Sequence, residues 1–223
     1  PALFWGVTGG NIDSMVANYT ATKKPIRHDD LTPGGANDRR PDRAVIAYTN
    51  LIRRHFKNTR PIVLGGVEAS LRRIAHYDYW SDRVRRSILF DAKADVLVYG
   101  MAEKTVVALA QRLQAGEPID DLRGLCLIGK KKPEGALELP SFERAAADPQ
   151  AFIEMFHTFY RNQDPLTARP LCQLQDTRYL IHNPPSPLLT QQELDQVHEL
   201  DYERAQHPYY ERMGPVKALE TIK

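Results

Sequence analysis

Apolar residues along the chain fall in short dense runs separated by amphipathic stretches. Leu3 to Thr8 is apolar, aromatic and β-branched, is closed by Gly9 and Gly10, and reads as a buried strand. Asn11 then caps a helix in which Ile12, Met15, Val16 and Tyr19 repeat at three or four positions. Residues 20–41 carry no period and hold Pro25, Pro33, Gly34, Gly35 and Pro41 among charges, so a long surface loop is expected. Asp42 restarts order, with Ala44, Val45, Tyr48, Leu51, Ile52, His55 and Phe56 forming a helical stripe. Ile62 to Leu64 and Ala94 to Tyr99 are wholly apolar strands ending at Gly65-Gly66 and at Gly100. Between Gly100 and Gly116, Val106, Val107, Leu109, Ala110 and Leu113 make one apolar helix face, and Leu125 to Ile128 is a fourth strand. Strands alternating with helices imply a parallel sheet with crossover connections, so residues 1–129 read as an α/β domain.

The pattern changes after Gly129. Lys130, Lys131, Lys132, Pro133 and Gly135 mark a break, which predicts a linker over 130–148 and a mixed α+β, mainly helical connector over 149–223. In the connector, Asp148 and Pro149 start a helix through Phe152, Ile153 and Phe156, and Tyr179 to Ile181 is a short strand. Thr190 and Glu193 then fit a capping box with Leu194 and Val197 inward.

Composition adds limits. The chain has 223 residues, 42% hydrophobic and 26% charged, with a net charge of +2, close to globular averages. No apolar run approaches the length of a membrane-spanning helix, and the net charge is too small to mark the whole chain as a nucleic-acid binder. Cys126 and Cys172 stand too far apart for a close-spaced metal or cluster motif, and a reducing cytoplasm is the simplest compartment. With no start methionine before Pro1, the chain is expected to be a piece of something longer.

Candidate chemistry gathers in two places. Gly9-Gly10, Gly65-Gly66 and Gly100 each follow a strand, where glycine lets backbone approach a ligand and where helix amino termini point. None is a Walker loop or a dinucleotide fingerprint, so the same glycines also fit plain strand-to-helix turns. The second place is Leu71 to Arg86. From Arg53 to Arg86 there are nine lysines or arginines against three acids, mixed with Tyr77, Tyr79 and Trp80. That mixture suits RNA or another phosphate-bearing partner, or equally an Arg-Asp network with buried aromatics that only holds the fold together. His76 is a proton carrier or a structural histidine.

Pro61, Gly65, Gly66, Glu68 and Ser70, then Ala94 to Gly100, Glu103 and the helix ending at Gly116, resemble the cobalamin-binding type of Rossmann domain that precedes many radical SAM barrels. More narrowly, Gly9, Asn11, Asp13 to Met15, Arg40 to Arg43, Glu68 to Arg73, Ala75 to Asp82 and Leu139 to Glu143 resemble the amino-terminal region of YgiQ-type radical SAM proteins. Asn183 to Pro185, Glu193 to Asp195, His207 and Pro208 fit the same region. The resemblance implies an incomplete Rossmann-like sheet and an accessory domain, not catalytic alone, that positions substrate or covers its own carboxyl-terminal barrel. That barrel would hold a [4Fe-4S] cluster and S-adenosylmethionine on a Cys-x-x-x-Cys-x-x-Cys loop that this chain lacks. The residues expected to face substrate or barrel are Gly65, Gly66, Glu68, Arg72, Arg73, His76, Tyr79 and Trp80, with no metal ligand and no cofactor in the chain itself.

Overall fold

The computed structural model describes residues 2–221. Its elements are β1 (Trp5–Val7), α1 (Ser14–Asn18), α2 (Ala44–His55), β2 (Ile62–Leu64), α3 (Gly66–Leu71), β3 (His76–Asp78), β4 (Arg83–Arg85), α4 (Ile88–Ala92), β5 (Val96–Val98) and α5 (Glu103–Ala115). They continue with β6 (Leu125–Gly129), β7 (Leu137–Leu139), α6 (Phe142–Ala147), α7 (Pro149–Arg161), β8 (Leu171–Gln175), β9 (Arg178–His182) and α8 (Gln191–His198). Strands β1, β2, β5, β6, β9, β8 and β7 form one sheet in that order, and β3 and β4 make a separate hairpin. Side chains alternate across the sheet. Ile62, Leu64 and Leu97 face a large core with Val45, Leu89, Met155, Leu171 and Leu180, whereas Val63, Val96, Val98 and Leu125 face Leu109 of α5.

The chain is mixed α/β, but the expected all-parallel sheet is not what forms. β1, β2 and β5 are parallel, and β6 runs antiparallel to β5. The cause is the return path: α5 descends about 20 Å at 1.5 Å per residue, and the turn-rich segment 116–124 climbs back beside it, bonded to Arg112 and then to Thr105. β6 therefore begins at the carboxyl end of β5, where the Tyr99 amide donates to the Gly124 carbonyl at 3.0 Å.

The break expected after Gly129 lies inside this sheet. Gly129 pairs with Tyr179, and β8 and β7 extend the sheet beyond β9. Residues 130–148 therefore hold a strand and a helix rather than a linker, and 149–223 contributes two central strands rather than a mainly helical connector. Buried glutamines lock the two parts together. Gln173 accepts from the Ala75 amide at 2.9 Å and donates to the Pro140 carbonyl, and Gln175 accepts from the Ser87 amide. Both glutamines have their polar ends satisfied without water contact.

Asp13, not Asn11, caps α1, its carboxylate accepting from the Met15 and Val16 amides. Met15 is buried, while Val16 is 59% exposed. In α2, Ala44, Val45 and Thr49 are buried, and Tyr48, Leu51 and Phe56 point outward. The capping box at Thr190 and Glu193 is formed. The loop at 20–41 is held by the distant tail: the Gly34 amide donates to the Pro215 carbonyl at 3.0 Å, and the Ala218 amide donates to the Asp30 carbonyl at 2.9 Å. Among the described residues no helix is long and apolar enough to cross a membrane.

Candidate functional site

Because β1, β2 and β5 are parallel, their carboxyl ends share one edge, and the three glycine turns meet there. The Gly65 amide donates to the Val7 carbonyl at 2.9 Å, closing the turn. On the α5 side this edge opens into a groove of about 460 Å³ lined by Phe4, Gly6, Thr8, Gly65, Gly66 and Gly100. The groove exists because Gly6 projects no side chain, which leaves open space between the sheet and Val106 of α5. Gly66 has φ +79°, and a Cβ there would strike the Thr8 hydroxyl. Gly66→Ala should therefore lower stability by about 1–2 kcal/mol through backbone strain and crowding. Chemical denaturation reads this directly, and an unchanged midpoint would contradict the close approach.

Glu68, on the first turn of α3, is 1% exposed and does not face either opening. Its two carboxylate oxygens accept from the Ser14 amide at 2.9 Å and the Val45 amide at 3.1 Å, so it fixes the starts of α1 and α2. A Cβ at Gly9 would lie 2.5 Å from the same carboxylate, which explains the glycine there. One turn later, Arg72 pairs with Asp13 and donates to the Glu68 carbonyl.

Beyond Arg72 lies a second opening of about 240 Å³. Asp13, Val16, Leu71, Arg72, His76, Tyr77, Asp78, Tyr79 and Trp80 line it. The β3–β4 hairpin presents the aromatic wall: Trp80 packs against Tyr19 and edge-on to Tyr79, and Lys23 sits 4.8 Å over the Tyr79 ring. The Tyr79 hydroxyl donates to the Ala21 carbonyl at 2.7 Å. Val16, Leu71, Tyr77 and Tyr79 are all about half exposed or more, so the rim is apolar and open.

The charges of this region are mostly paired. Asp78 is buried, which would raise its carboxyl, but hydrogen bonds from Ser81 and Arg43 outweigh burial and hold it below the usual range. Arg85 and Arg86 both lie against Asp91. Burial pulls the His76 imidazole down to about 4, so it is neutral at pH 7, and its Nδ1 donates to the Ile74 carbonyl at 3.1 Å. Tyr77 is pushed up by its hydrogen bond to Asp82.

The eight residues expected from the sequence thus separate into four settings. Arg72, His76, Tyr79 and Trp80 meet in the aromatic cleft, and Gly65 and Gly66 line the groove. Glu68 is an internal brace. Arg73 turns the other way, its guanidinium lying between the rings of Tyr99 and Phe159 and donating from Nε to His182 Nε2 at 3.1 Å. Asp13, Val16, Leu71, Tyr77 and Asp78 complete the cleft without having been picked out as site residues. For Asp13 the sequence signal is its place in the Gly9, Asn11, Asp13 to Met15 stretch that carries the family resemblance.

A [4Fe-4S] cluster does not fit these residues. It needs three converging thiolates, and the two cysteines lie on different strands, both buried, with burial raising both thiols. Among the described residues no group of three His, Cys, Asp or Glu side chains is arranged to hold a metal ion.

Comparison with known proteins gives a consistent picture. The radical SAM N-terminal family matches residues 1–223. A UPF0313 protein of Fusobacterium nucleatum is 54% identical over all of this chain, which covers 39% of that protein. A UPF0313 protein of Thermotoga maritima is 53% identical over all of the chain, which covers 40% of it. The chain therefore spans about two-fifths of the length of these relatives. Among solved structures, a radical S-adenosylmethionine methyltransferase, TsrM, from Kitasatospora setae overlaps 63% of this chain and 23% of its own, at 18% identity and a TM-score of 0.34. An overlap that slight bears no weight here.

Proposed function

Since the chain belongs to the radical SAM N-terminal family, we propose that it is the accessory part of a radical SAM enzyme, positioning substrate against the barrel or covering it, and not catalytic alone. The observation that carries this reading is the whole-length match together with the open apolar rim of Val16, Leu71, Tyr77 and Tyr79 around Arg72. An exposed apolar rim of that kind is the surface that another domain or a bound substrate covers. The rest of the enzyme would carry the [4Fe-4S] cluster and S-adenosylmethionine, the source of a 5′-deoxyadenosyl radical. The parallel β1, β2 and β5 with their glycine turns support a Rossmann-like layer of the cobalamin-binding type, bounded where β6 reverses direction. Two free thiols and cluster chemistry suit a reducing cytoplasm. A role in binding RNA is not favoured, because Arg72, Arg85 and Arg86 are committed to carboxylates and Arg73 is turned inward.

Two measurements test the proposal. Residues 1–223, treated with iron, sulfide and S-adenosylmethionine, should show neither cluster absorbance nor reductive cleavage, whereas a full-length UPF0313 protein should show both. In the full-length protein, amides from Leu71 to Trp80 should exchange with deuterium about tenfold more slowly than in residues 1–223, as expected for a covered surface. Cleavage by the short chain, or equal exchange in the two, would overturn it.

A further inference from the structure

Partly shielded arginines in this molecule find carboxylates. Arg40, Arg43, Arg72, Arg85 and Arg86 do so, and so do Arg53 and Arg112 at the periphery. Among the described residues Arg73 and Arg123 are the exceptions, and they flank the same opening. Arg73 donates to neutral acceptors only: His182, the Ser70 carbonyl and, at 3.3 Å, the Gln163 side chain. His182 cannot balance it, since burial and the Arg73 charge hold that imidazole down at about 3, in its neutral form. Arg123 donates to the carbonyls of Pro185 at 2.9 Å and Pro165 at 2.5 Å. Removing a guanidinium from water without a counter-charge is costly, which is why such groups are normally paired.

Between them lies a cleft of about 460 Å³ where the turn after β5 meets the loops after α7 and β9. Its polar wall is Tyr99, Gly100, Gln163 and Ser186, and its apolar wall includes Met101, Leu188 and Leu194. Gln163, Pro165 and Pro185 are the residues to which the two arginines are bonded, so both cations sit immediately behind the wall. No acidic side chain lines the cleft. Asp164, between two lining residues, turns its carboxylate to the Leu166 amide.

We propose that this cleft binds a small organic anion, a carboxylate or phosphate with an apolar body. The anionic group lies against Gln163 and Ser186, in the field of Arg73 and Arg123, and the apolar body lies along Met101, Leu188 and Leu194. The inference needs only this chain and stands whether or not the radical SAM reading holds.

Calorimetric titration of the chain with octanoate, octyl phosphate, 1-octanol and acetate tests it. At least one of the two octyl anions should bind tenfold or more tightly than 1-octanol, and acetate, lacking the apolar body, should bind more weakly than octanoate. Their order identifies the head group as carboxylate or phosphate. Arg73→Gln should shrink the anion's advantage over the alcohol, with Arg123 left in place to supply the remainder. Should that variant not fold, Ser186→Asp places a carboxylate on the wall without touching either arginine, and it should abolish anion binding while raising the melting temperature. Equal binding of anion and alcohol by the unaltered chain, or an undiminished anion preference in Ser186→Asp, would overturn the proposal.

Discussion

Lowering the pH from 7 to 5 is expected to remove about 4 kcal/mol from the free energy of unfolding, roughly 2 kcal/mol from each of two histidines. His76 and His182 are held neutral in the folded chain, at about 4 and about 3, chiefly by burial, with Arg72 and Arg73 respectively adding to it. In the unfolded chain both return to about 6.5. Between pH 6.5 and about 4 for His76, and down to about 3 for His182, the unfolded state binds more protons than the folded state, so stability is full above that window and falls as the pH drops through it. The depressed carboxyls of Asp29 and Asp78 act lower, below about pH 4, where their ionised forms are lost. The two effects are therefore separable. Urea midpoints at pH 7 and pH 5 measure the first, and His76→Gln should remove about half of the difference. A flat profile between those pH values would show that the imidazoles are not held neutral. With typical stabilities of about 5–15 kcal/mol, the loss is a large share of the total.

Glu68→Ala is expected to be the most damaging single substitution around the candidate site, at about 3–5 kcal/mol. Hydrogen bonds to a charged group contribute about 1.5–3 kcal/mol each, and this carboxylate serves two amides on different helices. Alanine leaves both amides buried without acceptors and frees the start of α1, which carries Asp13 and through it the ion pair to Arg72. For a chain of this length the melting temperature should fall by about 10 °C. Glu68→Gln keeps one acceptor oxygen but turns its NH₂ toward an amide, and should cost about half as much. A loss below about 1 kcal/mol for Glu68→Ala would mean that the brace is dispensable.

Strand β2, the Val96–Val98 strand and the glycines that follow them were legible because an apolar run stopped by glycine leaves few alternatives. Leu125 to Ile128 was legible as a strand, but its direction was not. That direction depends on the climb of residues 116–124 beside α5, which has no periodic signature. The basic run at 130–132 looks like a boundary in sequence, yet the buried side chains of Leu171 and Leu180 belong to the core built by Leu64 and Leu97. β3 and β4 are three-residue strands of charged and aromatic side chains, too short to show a period. At the site, Arg72 and Arg73 are neighbours in the chain, so they looked like one patch. The helix ends at Leu71 and the backbone leaves helical geometry at Arg72, which sends one side chain to the aromatic cleft and the other beneath Tyr99. Val16 was misplaced because a three-or-four spacing is met by more than one face of a short helix.

The grip between the 20–41 loop and the tail carries a consequence for how the chain assembles. Asp30 and Lys217 are separated by 187 positions, so bringing them together closes a very wide ring. Entropy opposes that closure more than any local contact, although the penalty grows only with the logarithm of ring size. The grip should therefore form late and fray early. Since the same loop supports Tyr79 at Ala21 and reaches the Trp80 carbonyl with Lys23, loosening at the tail would slacken the aromatic wall while the sheet beneath stays intact.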